Sequence, residues 1–465
     1  MNSSTLNLNT KRMKTRLLLL LSLFQGIALF AQDAAKAYSL RQCIDYALVN
    51  NTNVKNATID EYIADSKVKE YKGTGLPQVT GSAAYQHADP LRRMFLQKTP
   101  STAAFFPEAV PLGTVVALPN LFQLPTTADA SVNINQLLFS SSFFVGLKAA
   151  KTYKELAQQN KERTKIEVVE NVTKAYYMAL INVERKNLFD INIARVDSLL
   201  KQTRALNKSG FAEILDVNRL EVTFNNLTTE KKNFDNLIAL SSLLLKYQMN
   251  LGIDKPLYLS DKLSDLTMDS TMIIGSKADY NSRVEYKLLT TQNKLNKLSY
   301  KNNQYTALPT LSFNANVGSF TQSPDLNVMH DYNIYHKYAT YSLALNVPIF
   351  SGFSRIRRVQ QSRLTLEQSE NNLKQFERTV DIQTRSSQIS YNNSIQSLSS
   401  QKRNMELAKE VARVTRIKYT SGVGSNIEVI DAESSLKESQ INYYNALYDA
   451  LVQRVEYDKS LGNLK

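Results

Sequence analysis

The chain has 465 residues, a formal net charge of +14 and one cysteine, Cys43. A single cysteine excludes an intrachain disulfide framework and a zinc site built from cysteines, so we expect Cys43 to be a small buried residue. The Lys and Arg residues are scattered among Glu, Asn and Gln, which argues against a nucleic-acid-binding surface.

The first predicted element is a cleaved export leader over residues 1–31. Four basic residues, Lys11, Arg12, Lys14 and Arg16, precede an apolar run at 17–30. Ala31 follows this run as a small residue at a plausible cleavage site. The run is shorter than the roughly 20 residues of a membrane anchor and contains Gln25 and Gly26, which disfavours an uncleaved anchor. Loss of these four charges leaves a net charge of +10.

Four segments alternate apolar and polar side chains with the period of two typical of strands. They cover residues 78–88, 128–139, 310–320 and 338–350. Each has about the 9–11 residues that a tilted strand needs to cross a bilayer. A soluble sandwich would need a second apolar layer, and the sequence offers none. The pattern therefore favours a membrane barrel closed by several chains.

A long helix is predicted after each strand pair, because residues 147–209 and 354–420 contain neither glycine nor proline. At 1.5 Å per residue each would be roughly 90–100 Å long. Apolar residues recur every seven positions from Val359 to Val380, resume at Tyr391 after eleven, and recur again from Val429. This spacing predicts a coiled coil that runs relatively straight.

The two halves of the chain repeat one another in sequence and in predicted element order. Leu76-Pro77 returns as Leu308-Pro309, Phe139-Ser140 as Phe350-Ser351, and Ser209-Gly210 as Ser421-Gly422. The repeats are predicted to span 32–250 and 281–465, joined by a segment at 251–280.

The predicted order of leader, strand pairs and long helices resembles that of the TolC-like outer-membrane efflux proteins. The segments YSLRQCIDYALVNN (38–51) and YTSGVGSNIEVIDA (419–432) also resemble this family. The resemblance implies a mixed α and β membrane protein. Three chains would form a twelve-stranded outer-membrane β-barrel, continued by an α-helical coiled-coil tunnel across the periplasm. Such a homotrimer is the outer-membrane channel of a tripartite efflux or type I secretion system. It binds a periplasmic adaptor and an inner-membrane transporter, and requires no cofactor.

The resemblance also implies a role for each strand face. Side chains facing the lipid of a Gram-negative outer membrane would be Leu311, Phe313, Ala315, Val317, Tyr341, Leu343 and Leu345. Side chains facing the lumen would be Ser312, Asn314, Asn316 and Ser342. Segments 89–126 and 321–337 would be external loops, the first of them ordered, and 251–280 an equatorial collar.

At the periplasmic end, the resemblance places the narrowing at the turns 207–213 and 420–426. Glu428 and Asp431 would ring the entrance, and their three-residue spacing puts them on one helix face. The tip and adaptor contacts would be Gly210, Gly422 and Gly424, and the residues closing the aperture Tyr419, Arg413 and Arg416. Gly424 stands where the family has an arginine of the closing network.

Other classes of function have less support in the sequence. His87, His330 and His336 fall in no catalytic or metal-binding motif, and the last two are predicted to lie in loops. No phosphate-binding glycine loop occurs, so no catalytic residue is expected. The rival readings are an exported coiled-coil structural or adhesive protein, and the periplasmic adaptor of such a pump.

Overall fold

The computed structural model describes residues 37–118, 123–263, 279–326 and 335–464. The predicted leader, His330 and residues 264–278 of the predicted collar lie outside the described residues. The chain forms two compact units. A helical unit comprises Met1–Asp60, Gln158–Leu288 and Leu373–Lys465, and a sheet unit comprises Glu61–Ala157 and Leu289–Asn372.

Each half of the chain contributes two long strands and a pair of long helices. The helices are α1 (Leu40–Asn50), α2 (Thr52–Gly73), α3 (Ser141–Lys208), α4 (Ile214–Met249), α5 (Val284–Tyr305), α6 (Ser354–Thr420) and α7 (Asn426–Ser460). The strands are β1 (Ala37–Tyr38), β2 (Gln78–His87), β3 (Met94–Gln97), β4 (Val115–Leu118), β5 (Thr126–Phe139), β6 (Tyr258–Leu259), β7 (Thr310–Ser323) and β8 (His336–Asn346). Among the described helices, none is both long and apolar enough to cross a membrane.

The sheet unit is built on four antiparallel strands in the order β2-β5-β7-β8. The central β5–β7 pair joins the two sequence repeats. Residues paired directly across an antiparallel sheet share a face. The register therefore aligns Thr80, Asn133, Asn316 and Thr340 in one row, and Val79, Ile134, Ala315 and Tyr341 in the next.

Several boundaries differ from those predicted. β8 ends at Asn346 rather than Phe350, although the alternation continues through Val347 and Ile349. Pro348 has no N–H to donate to a neighbouring strand, which removes the pairing there. β7 continues to Ser323 and β8 begins at His336, so both ends of the predicted loop 321–337 belong to strands. His336 pairs with Phe320 and is not a loop residue.

The predicted loop 89–126 is ordered in its described part. β3 and β4 pair as an antiparallel hairpin within it. Lys98, at the end of β3, is buried, and its Nζ donates to the carbonyl oxygen of Pro107 at 3.0 Å. Phe106, the residue before Pro107, is also buried. Lys98 and Phe106 are therefore packed within this segment.

The heptad positions form the core of the helical unit. Val429, Leu436, Ala450 and Tyr457 on α7 are buried, as are Val380, Tyr391 and Ala412 on α6. Cys43 lies in a separate cluster with residues of α1, α3 and α4. Burial raises the pKa of the Cys43 thiol to about 12, so this residue is a packed and unreactive one, as predicted.

Candidate functional site

One face of the four-stranded sheet, here called the polar face, carries neutral amides and hydroxyls. Asn135 Nδ2 donates to Asn314 Oδ1 at 2.6 Å, and the hydroxyls of Ser82 and Ser131 lie 2.9 Å apart. The predicted lumen-facing residues Asn314, Asn316 and Ser342 line one concavity on this face. Ser312 pairs with Ala344 in line with them, because it is two residues from Asn314.

The opposite face, here called the apolar face, holds the predicted lipid-facing residues. Val317, Tyr341, Leu343 and Leu345 are exposed in the single chain, with 69% of Leu343 accessible. Leu311 and Phe313 are half-buried. Ala315 is buried, since it is a small side chain flanked by Ile134 and Tyr341 on neighbouring strands. An exposed row of large apolar residues of this kind marks a surface that contacts a membrane or another protein.

The sheet ends in two open edges. Among the described residues, β2 pairs only with β5 and β8 pairs only with β7. Strands of 10 and 11 residues therefore each present an unpaired row of N–H and C=O groups. Long unprotected edges are a liability for a solitary chain, and pairing with other strands removes them.

The two interhelical turns, here called the tip turns, share one geometry. Gly210 has a φ of +80° and Gly422 a φ of +77°. Phe211 N donates to Leu206 O at 2.8 Å and Val423 N donates to Lys418 O at 3.1 Å, which closes the preceding helix in both turns. This is the Schellman motif that a glycine in the left-handed region permits.

Replacing Gly422 by alanine is expected to lower the free energy of unfolding by about 1 kcal/mol, because an L side chain is disfavoured at this φ. A Cβ there would meet no atom within 4 Å, so the effect isolates backbone strain. Thermal unfolding measures it, with Ser421→Ala as the neighbouring control. Equal midpoints for the two variants would contradict the turn geometry.

Glu428 and Asp431 lie on the first turns of α7, on the side away from buried Val429 and Ala432. Both side chains are exposed in the single chain. Within the described part of the molecule, neither carboxylate forms a salt bridge. Their charges therefore remain available to whatever surface or solute this end of the helical unit faces.

Comparisons with known proteins agree with this arrangement. Residues 290–463 match the family model described as outer membrane efflux protein. The chain is 23% identical over 401 residues to outer membrane protein TolC of Vibrio cholerae, covering 83% of this chain and 88% of that protein. It is 22% identical to a probable efflux pump outer membrane protein, TtgC, of Pseudomonas putida, covering 94% and 85%.

The fold is that of solved outer-membrane channels. The MtrE outer membrane channel of Neisseria gonorrhoeae, in its open state, aligns with a TM-score of 0.71 at 14% identity over 92% of this chain and 89% of that one. Over most of its length the chain is similar to the TolC-like outer-membrane efflux proteins. The mixed fold of strand pairs and long helical hairpins is the one that the sequence predicted.

Two of the three residues predicted to close the aperture connect α6 to other helices. Tyr419 Oη lies 3.0 Å from the buried Thr203 Oγ1 on α3. Arg416 forms a salt bridge with Glu433 on α7. Arg413 instead pairs with Glu410 on its own helix at 2.7 Å, and both side chains are exposed.

Gly424, where the resemblance predicts an arginine, stands in a sterically crowded position. A Cβ at this position would lie 2.9 Å from Tyr419 N and 3.0 Å from Lys418 Cβ. These neighbours are fixed in the last turn of α6. The tip turn therefore packs too closely on α6 for any side chain at Gly424 without a backbone shift.

Glu433 is a site residue that the sequence analysis missed. Its carboxylate is buried and accepts a hydrogen bond from Arg195 Nη1 of α3 at 2.8 Å, in addition to its contact with Arg416. One carboxylate thus joins α3, α6 and α7 close to the tip turns.

The internal repeat contained the signal for this cluster. Arg204 and Glu221 form a salt bridge across the first tip turn at 2.8 Å, and both side chains are 48% exposed. Arg416 and Glu433 have the same 17-residue separation across the second tip turn. Aligning the two tip glycines would have paired these residues. The burial of Glu433 depends on Arg195, which is distant in sequence.

Proposed function

We propose that the chain is the outer-membrane channel of a tripartite efflux or type I secretion system in a Gram-negative bacterium. The observation that carries this proposal is the four-stranded sheet with a polar face, an exposed apolar face and two open edges. In the outer membrane the apolar face contacts lipid and the polar face lines water. No open edge is tolerated in lipid, so the edges must pair.

A homotrimer satisfies this requirement. β8 of one copy pairs with β2 of the next, and three sheets of four strands close a barrel of twelve. The long helices α3 and α6, with their returning partners α4 and α7, form the tunnel walls on the periplasmic side. Names of relatives such as the TtgC efflux pump outer membrane protein support this assignment.

The tip turns are proposed to contact a periplasmic adaptor, which links the channel to an inner-membrane transporter. The backbone conformation of the tip turns depends on Gly210, Gly422 and Gly424. The apolar residues that follow the two left-handed glycines, Phe211 and Val423, are 83% and 79% exposed. Such apolar side chains at an extremity suit a protein–protein contact.

Fractionation tests the proposal directly. The full-length protein expressed in a Gram-negative host is expected in the outer-membrane fraction, as a trimer that persists in unheated detergent gels and dissociates on boiling. Recovery as a soluble monomer or dimer would refute the channel and favour a structural coiled-coil protein.

The entrance ring makes a separate prediction. Threefold symmetry would gather Glu428 and Asp431 from each copy around a narrow axis, where one sign of charge concentrates cations. The double variant Glu428→Gln with Asp431→Asn is expected to have a weaker cation preference and to lose block by trivalent metal ions added from the periplasmic side.

Single-channel recordings in planar bilayers measure both properties. Glu410→Gln is the matched control, since Glu410 is an exposed acid that faces Arg413 on α6. Unchanged selectivity and block in the double variant would show that the two carboxylates do not line the entrance.

A further inference from the structure

The four long strands carry very little charge. Asp129 on β5 is their only acidic residue and Lys337 on β8 their only lysine or arginine. Asp129 pairs with Ala84 and Phe320, whereas Lys337 pairs with Ser319. Side chains alternate between faces along a strand, so Asp129 lies on the polar face and Lys337 on the apolar face.

Asp129 is held in place by a contact that spans a strand. Tyr338 Oη on β8 donates to Asp129 Oδ2 on β5 at 2.8 Å, although β7 lies between these two strands. Gly318 on β7 has no side chain, so the Tyr338 hydroxyl can cross over β7 to the Asp129 carboxylate. A Cβ at Gly318 would lie 2.8 Å from Tyr338 Oη and 2.8 Å from Ser131 Cβ.

This contact fixes the charge rather than removing it. A phenol that donates to a carboxylate forms a charge-assisted hydrogen bond, which holds the carboxylate in one position. Only one carboxylate oxygen is used by Tyr338, and Asp129 is half-buried rather than enclosed. The charge therefore remains partly exposed on the polar face of the sheet.

The strand connections locate Asp129 along the sheet. β2 is connected to β5 by residues 88–125, and β7 to β8 by residues 324–335, at one end of the sheet. The long helices follow from the other end. Asp129 is the fourth residue of β5 from the loop end, whereas Asn133 and Asn135 lie nearer the helices.

We infer that Asp129, positioned by Tyr338 across Gly318, is a second cation-selecting residue, located at the external mouth of the channel. The inference rests on the proposed trimeric channel, which would bring three copies of Asp129 around a wall of neutral amides and hydroxyls. A fixed charge in an otherwise neutral, narrow lumen sets the local ion ratio. A wall potential of about one kT changes the ratio of cations to anions about sevenfold.

The test is a reversal-potential measurement on the full trimer in planar bilayers under a KCl gradient. Asp129→Asn, made in the Glu428→Gln, Asp431→Asn background, is expected to lower the cation-to-anion permeability ratio about twofold to sevenfold. It should also abolish block by Mg²⁺ added on the loop side.

The chain supplies matched controls. Lys337→Gln removes one charge from the apolar face and should leave the permeability ratio unchanged. Asp129→Glu keeps the charge and should retain the cation preference. Tyr338→Phe keeps Asp129 but releases it, so its effect should be smaller than that of Asp129→Asn.

An unchanged permeability ratio in Asp129→Asn, in a channel that conducts normally, would overturn the inference and leave the proposed function intact. An equal change in Lys337→Gln would overturn the face assignment. A larger effect from Tyr338→Phe than from Asp129→Asn would assign the selectivity to sheet geometry and overturn the role of the charge. Absence of any conductance from the wild-type protein would refute the channel itself, and the inference with it.

Discussion

Arginine at Leu343 is expected to destabilise the assembled barrel by roughly 2–4 kcal/mol, the cost of a cation on the lipid face near the bilayer midplane. Leu343 lies two residues from the middle of β8, is 69% exposed in the single chain and pairs with Phe313. Phe313→Arg should therefore behave similarly. The yield of heat-dissociable trimer in the outer-membrane fraction, and its dissociation temperature, measure the effect.

Ser342 provides the matched control for Leu343, because it is the adjacent residue on the same strand. It pairs with Asn314 on the polar face. Ser342→Arg and Asn314→Arg should assemble normally and change conductance instead. If arginine were tolerated equally at Leu343 and Ser342, these strands would not lie in a membrane.

Loss of the Glu433 carboxylate is expected to have the second large effect. Glu433→Gln would leave the Arg195 and Arg416 guanidinium groups without their shared counter-charge, where 19% and 35% of these side chains are exposed. Breaking a buried pair costs roughly 3–5 kcal/mol, and the exposure of Arg416 places this case near 3 kcal/mol. Thermal unfolding of the helical unit measures the loss.

The first sequence repeat supplies the control. Glu221→Gln breaks the equivalent pair with Arg204, but both side chains are half exposed there, so a cost below about 1 kcal/mol is expected. The Glu433 variant should also open more often in single-channel recordings, because α6 is released from α3 and α7. Similar losses of stability in the two variants would show that the buried Glu433 contributes no more to stability than the exposed Glu221.

The strand faces could be predicted from sequence because one physical period governs both pattern and pairing. The alternation at 311–317 places residues on faces that the register reproduces. The end of β8 could not be predicted in the same way. Val347 and Ile349 continue the alternation, but Pro348 cannot donate to a neighbouring strand.

The start of α3 shows a similar limit. A glycine usually argues against a helix interior, so the predicted helix began after Gly146. α3 instead begins at Ser141 and includes Gly146. A glycine is needed there because Tyr71 packs against the helix at this position. A Cβ at Gly146 would lie 1.9 Å from Tyr71 Oη. The requirement comes from another helix and is invisible in the local sequence.

The candidate site was predictable where it depends on a turn and hidden where it depends on tertiary packing. Gly210 and Gly422 are recognisable tip glycines, and both have the positive φ that such a turn needs. The Arg195–Glu433–Arg416 cluster brings together residues from three helices. Arg413 and Arg416 were equivalent in sequence, and only the packing distinguishes them.

The central claim is that the polar face lines a water-filled lumen of an outer-membrane channel. Single-channel recording with a water-soluble thiol reagent tests it most directly, because buried Cys43 gives little background reaction. Trimers carrying Asn316→Cys are expected to conduct and to lose conductance when the reagent is added, whereas Val317→Cys trimers should conduct without change. Absence of conductance, or equal loss in the two variants, would contradict the account.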